Sequence, residues 1–566
     1  MKTRYNKFLS FAAGLLVASG MTSCIGDLDT VPLNPNDKVE QNAYGTDEAG
    51  YLQGLARLYF QFITNDTKDL QVSDGGSAEL IRAYWSVQET STDEAKCAWS
   101  DDAWVRALNT NTWTEAQNDA TYAVYVRTLQ GIVYINDFLR QTTDKKLEER
   151  GVGPEVAAKV AGFRAEARFL RAYLYWIAVD TFGNVPFITE DSPFGINVLP
   201  EQGTRAEIFN FCIDELEDLV ADGSAMPEAR TNYPRADKGS VYGLLARMYL
   251  NAEVYTSVPM WEEAKAACEK IFTMGYQLCP DYASLFRGDN GENLEARNEF
   301  LFAIAYDAEN SQSFGGTTYL TFAAIAQDDI REMETDTPDG KQTVTYYPNG
   351  VNGGWGGIRV PYEFVLKYFQ VEDTDYSSGE YTCTDKRGQM FCIAGREESM
   401  EDALYVFLNG WSCLKFNNVP HDKTPEEYGD VAVTKAYSDI DFPLIRLGEI
   451  YLIYAEACLE LNEPETALQY LQDLSQRAGV EAPEGYNRNY LIEERARELM
   501  WEGHRRTDLI RWGVFHTSDF LWPYKGGDSF RGQGFDQYKT LFALPLTDIT
   551  ANGTLVQNPG YKQTEN

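Results

Sequence analysis

The sequence predicts a mainly α protein, a scaffold of tetratricopeptide-like helical repeats that carries a loop-rich, irregular insertion half. Three observations lead there. Apolar residues recur at steps of four and three over several long stretches. Two of those stretches break at short Pro-containing turns and then resume. The periodicity is lost between about residues 300 and 440, where Gly, Asn, Asp and Thr accumulate.

At the amino end, Lys2, Arg4 and Lys7 precede an apolar run from Phe8 to Ala18, and Met21-Thr22-Ser23-Cys24 closes it. A run of about 11 residues is too short for the roughly 30 Å core of a bilayer. Residues 1–23 therefore read as a secretory signal, with cleavage before Cys24 and lipid on its thiol. No later stretch offers about 18 uncharged apolar residues, so no second membrane segment is expected.

The first clear helix runs through Val156, Val160, Phe163, Ala167, Leu170, Leu174 and Ile177, which share one stripe, while Arg164, Glu166, Arg168 and Arg171 lie off it. Gly183 ends it and Pro186 prevents resumption. A helix pair follows at Lys238–Glu253 and Trp261–Thr273, joined at Ser257-Val258-Pro259. Another begins near Ile445, breaks at Asn462-Glu463-Pro464 and resumes through Ala467, Leu471 and Leu474 to Gly479. Helix, tight turn, helix at roughly 34 residues is the tetratricopeptide pattern. The long stretches between pairs argue for a scaffold with insertions, not a regular solenoid. In the aperiodic region only short strands are expected, and long loops on a rigid scaffold are where binding residues concentrate.

Removing residues 1–23 takes away three cations and no acid, moving the formal charge from -37 to -40. Such acidity repels nucleic acid and anionic lipid, leaving acylation as the membrane tether. Eight cysteines remain besides Cys24, and none forms a C-x-x-C pair. Buried thiols are the expectation for most, with a Cys383–Cys392 bridge left open. The three histidines show no metal-binding spacing, and no nucleophile elbow, phosphate loop or dinucleotide motif is present, so no enzyme is expected. A carboxylate pair suited to glycoside hydrolysis would be a property of the fold, which spacing leaves open.

The stretch from Glu498 to Gly513 combines arginines, acids and two tryptophans. It reads as one helix whose charges pair with neighbours and adjacent helices. Aromatics make up 13% of the chain, and several fall in aperiodic segments. Trp355 sits between two glycine pairs, Phe314 precedes Gly315-Gly316, and Trp99 and Trp104 flank the turn Ser100-Asp101-Asp102. Exposed rings suit the C–H faces of sugars, while carboxylates and guanidinium groups take hydroxyls.

The blocks Phe169-Leu170-Arg171-Ala172, Gly183-Asn184-Val185-Pro186, Arg235-Ala236-Asp237-Lys238, Pro443-Leu444-Ile445-Arg446-Leu447 and Arg505-Arg506-Thr507-Asp508-Leu509 run through most of the chain. In these it resembles the SusD/RagB family of surface glycan-binding lipoproteins, and most of all the family's starch-binding member. The resemblance implies a single SusD-like domain over residues 24–566, helical at about 40–300 and 440–515 and loop-rich at about 300–440. It implies a cell-surface lipoprotein of the outer membrane that captures starch or malto-oligosaccharide and delivers it to a SusC-like TonB-dependent transporter. By local match the glycan contacts fall on Trp99, Phe314, Trp355, Asp74, Arg82 and Asp102. Phe314 stands for a tyrosine and Asp102 for an asparagine. A structural Ca2+ is implied near Asp439 and Asp441, with Gly291 where an acidic ligand is expected. The alternatives are a lid for a different glycan and an adaptor without glycan specificity of its own.

Overall fold

The computed structural model describes residues 44–563 apart from 66–69, 71, 73–75, 117, 194, 196–197 and 338–339. Cys24 and Asp74 therefore lie outside the described residues. Among the described residues no helix is long and apolar enough to cross a membrane.

The architecture is mainly helical. The helix Pro154–Thr181 starts with Pro at its first turn, where the missing N–H costs nothing, and stops before Gly183, whose φ of 73° suits a residue without Cβ. It packs on Asp119–Gln141, Arg205–Val220 and Glu48–Phe60. From Ala165 onward nearly every side chain is buried, including Glu166 and Arg171, which lie off the apolar stripe. Neighbours on several sides enclose this half, and partners satisfy the two charges: Arg235 and Tyr59 donate to Glu166, and Arg171 reaches Glu190 and Glu215. The next pair is Lys238–Leu250 on Trp261–Phe272, with Asp237 capping the first by accepting from Gly239 and Ser240 N–H groups. Trp261–Phe272 then packs on Leu447–Glu460, which packs on Pro464–Ala478. Rings of Phe272, Tyr451, Tyr454 and Tyr470 interlock at 4.5–5.6 Å where these pairs meet. Stacked helix pairs of this kind give the expected tetratricopeptide-like scaffold.

Two boundaries differ from the periodicity. Residues 442–446 form a strand paired with 300–304, so the helix starts at Leu447 and not near Ile445; a fully apolar strand and a buried helical turn look alike in sequence. The Glu498–Gly513 stretch is two helices, Arg488–Leu499 and Arg505–Arg511, separated at Trp501, whose φ is 65°. Its charges do pair, chiefly with distant segments: Arg505 with Asp93 at 2.8 Å, Arg511 with Glu456 at 2.7 Å, and Glu498 with Arg387, Arg446 and Arg477. Arg387 lies in the irregular half and Arg446 and Arg477 in the scaffold, so buried ion pairs fasten one to the other.

Residues 300–440 hold short helices at Gly316–Ala323, Tyr362–Phe369 and Pro425–Ala432, two turns each and too brief to show periodicity. The hairpin Arg331–Thr337 with Gly340–Tyr346 has seven residues per strand, longer than expected. All eight described cysteines are free, Cys383 and Cys392 included.

Candidate functional site

A two-residue ladder builds the centre of the site. Lys96 and Cys97 pair antiparallel with Arg359 and Ile358, and the Ala98 N–H donates to Gly357 O at 2.8 Å. This lays Trp99 against Gly357. The φ there is 114°, and a Cβ would stand 2.4 Å from Trp99 Nε1, so only glycine fits. Two residues earlier, the Trp355 N–H donates to Phe322 O at 2.8 Å, and its indole stacks on the Phe322 ring at 4.9 Å. Gly354 permits this approach, since a Cβ there would meet Ile325 O at 2.5 Å.

Phe314 lies in the turn before Gly316–Ala323, with 45% of its surface exposed. Its ring is 6.1 Å from Trp355 and 5.0 Å from Tyr437. Arg82, buried on the helix Leu80–Glu89, bridges the parts. Its guanidinium lies 4.4 Å over Tyr319 and 5.7 Å over Trp99, and Nη1 donates to Phe314 O at 3.5 Å. Trp99 and Trp355 are half-buried. Trp99, Phe314, Trp355 and Arg82, scattered over some 270 residues of sequence, thus come together. Asp102 is half-buried at the start of the helix Ala103–Asn109, in the turn after Trp99, where its N–H donates to Trp99 O at 3.2 Å.

Beneath Phe314 stands Glu79, fully buried at the start of the Leu80–Glu89 helix. Ser313 and Tyr306 hydroxyls hydrogen-bond its carboxyl group. A Cβ on Gly315 would overlap that carboxyl, and one on Gly316, whose φ is 44°, would overlap the Tyr306 hydroxyl. Burial pushes the Glu79 carboxyl up to about 8, against the opposing pull of Ser313, Tyr306, Arg82 and Arg127. Sequence reasoning missed Glu79, Tyr319, Phe322 and Tyr437. The available signal was the Gly315-Gly316 pair after Phe314, which marks a close approach without saying to what.

Residues 406–561 match the SusD family model, and residues 74–250 match one described as "Starch-binding associating with outer membrane". Over 99% of its length the chain is 31% identical to the whole of Starch-binding protein SusD from Bacteroides thetaiotaomicron. The chain belongs to the SusD family. SusD-like protein P25 of Formosa agariphila is 24% identical over 70% of this chain and 73% of its own. Among solved structures, surface glycan-binding protein A from Bacteroides thetaiotaomicron in complex with laminarihexaose aligns with a TM-score of 0.63 at 19% identity, covering 90% of this chain and 99% of its own. A laminarin-binding SusD-like protein gives 0.64 at 19% identity, covering 92% and 100%. At such identity these two structures show a shared SusD-like fold.

Two further acids bear on the Ca2+ expectation. Asp441 accepts from the Tyr233 hydroxyl at 2.5 Å and the Tyr306 N–H at 3.0 Å, and burial raises it to about 6. Asp439 accepts from Ala308 N–H at 3.0 Å and pairs with Lys435 at 2.8 Å. Gly291 adds no ligand, and a Cβ there would stand 2.6 Å from Asp441 Oδ2. A calcium ion takes six to eight oxygens, and this set offers two carboxylates already holding a hydroxyl, two backbone amides, the Asn418 side-chain amide and an ammonium. The donors present do not fit that ion.

Proposed function

We propose that this SusD-family chain is a binding protein, not an enzyme, that captures a curved α-glucan at the cell surface. The observation that carries the reading is the convergence of Trp99, Phe314 and Trp355 around Arg82, with nearly half of Phe314 open to solvent. Rings tilted to one another, 57° between Phe314 and Trp355, follow a bent chain of sugars better than a flat ribbon. Each stacked sugar removes on the order of 100 Å² of apolar surface from water, about 2 kcal/mol, so useful affinity needs several rings together. Arg82 and Asp102 supply hydroxyl partners around the rings, and Asp74 joins them in this reading.

The 31% identity to a starch-binding relative supports starch over other glycans. In the same reading, lipid on Cys24 tethers the chain to the outer membrane, in keeping with the description of the matched model. The captured oligosaccharide then passes to a SusC-like transporter. Titration calorimetry with maltoheptaose, a cyclodextrin, laminarihexaose and cello-oligosaccharides tests the specificity. Binding of the first two, weakened by tens of fold in Trp355→Ala, is the expected result. Binding confined to laminarihexaose or cello-oligosaccharides overturns the starch assignment, and no binding of any of them overturns capture itself.

A further inference from the structure

Beside the three rings, the loop from Leu404 to Asn409 presents two apolar side chains to solvent, Val406 at 50% and Phe407 at 41% exposed. The loop is held in place from below. Arg359, fully buried, donates through Nη2 to Leu404 O at 2.6 Å and through Nη1 to Val406 O and to Asn409 O at 2.7 Å. Its Nε donates to Gly357 O at 3.3 Å, the same glycine that seats Trp99. The Glu397 N–H donates to Leu408 O at 2.9 Å, the Gly410 N–H to Glu397 O at 2.8 Å, and Asn409 Nδ2 to Ser399 O at 2.7 Å. Burying a guanidinium against carbonyls is costly, and here it fixes a conformation that leaves two apolar groups in water.

The position of Phe407 gives that arrangement a purpose. Its Cδ1 lies 2.9 Å and its Cε1 3.6 Å from where a Cβ on Gly356 would stand, so the ring rests on the backbone between Trp355 and Gly357. Phe407 therefore lies against the glycine that separates Trp355 from Gly357, the residue that seats Trp99.

We propose that Phe407, with Val406 beside it, is an additional sugar subsite contiguous with the three-ring platform, and that it makes the protein favour longer α-glucan chains over short ones. The proposal rests on the glycan reading above and adds to it a residue, a location and a length preference. Calorimetry of wild type, Phe407→Ala, Phe407→Tyr and Trp355→Ala with maltotriose and maltoheptaose tests both separately. Phe407→Ala is expected to weaken maltoheptaose about thirtyfold, as loss of one stacked sugar requires, and to leave maltotriose unchanged. Phe407→Tyr should retain wild-type binding of both. If Phe407→Ala binds both ligands as wild type does, or loses both equally, while Trp355→Ala weakens both, the subsite is refuted and the platform stands. If Trp355→Ala changes neither ligand, the platform reading itself falls.

Discussion

The buried Glu79 offers a quantitative test of how the Phe314 turn is supported. Its carboxyl titrates near 8 in the folded protein against about 4.5 for an ordinary glutamate, with burial the largest cause. The sign follows from proton counting. Between those two values the folded state keeps a proton that the unfolded chain has released, so this group's contribution is most favourable at or below about pH 4.5 and is lost as pH rises toward 8. At about 1.4 kcal/mol per pH unit, moving from pH 5 to pH 8 destabilises the wild type by on the order of 3 kcal/mol relative to a side chain that cannot ionise. Glu79→Gln is such a side chain. A glutamine keeps one acceptor for the Tyr306 hydroxyl and places a donor toward the Ser313 oxygen, matching the neutral carboxyl. Urea unfolding of both proteins at pH 5 and pH 8 should show the variant gaining on the wild type by about that amount at the higher pH. Other raised carboxyls, such as Asp441 and Asp237, contribute equally to both proteins and drop out of the difference. Parallel stabilities across the range, or a variant that loses ground as pH rises, would show that Glu79 is ionised in place and that the argument from burial is wrong.

Gly357→Ala should drive a methyl into the Trp99 indole and strain a backbone at φ 114°, costing about 1–3 kcal/mol of stability and weakening maltoheptaose binding toward the level of Trp99→Ala; thermal melts and calorimetry read both. Wild-type affinity would show that Trp99 is not held by this contact. At Glu498, burial alone would raise the carboxyl, but Arg477, Arg446 and Arg387 hold it well below the usual carboxylate range. A lowered value stabilises above the unfolded titration near 4.5 and is lost as pH falls through and below it. Glu498→Gln should therefore cost about 3–5 kcal/mol at pH 7, with the gap from wild type narrowing in acid, as followed by denaturant titration. A constant gap would mean that the ion pairs do not govern this site.

Some of this protein is written in local pattern. Steps of four and three place Val160, Phe163, Ala167, Leu170 and Leu174 on one buried side of a helix, and Gly183 stops it, because helix geometry and left-handed caps depend only on near neighbours. The turn at Asn462-Glu463-Pro464 and the pairing of helices across it are legible for the same reason. Trp99, Phe314, Trp355 and Arg82 were also nameable, through likeness to the family and not through periodicity. Their neighbours were not. Glu79 under the Gly315-Gly316 turn, Phe322 beneath Trp355, and Phe407 on Gly356 meet across dozens to hundreds of residues, and no spacing rule connects them. The same holds for Arg505 with Asp93 and for the three arginines on Glu498, whose charges look like surface charges until packing buries them. The sequence by itself determined where the long periodic helices form, because backbone hydrogen bonds and side-chain spacing are local. Only the tertiary structure decided which charges are buried and which rings form one surface, because desolvation and ring contact depend on what the rest of the chain brings alongside.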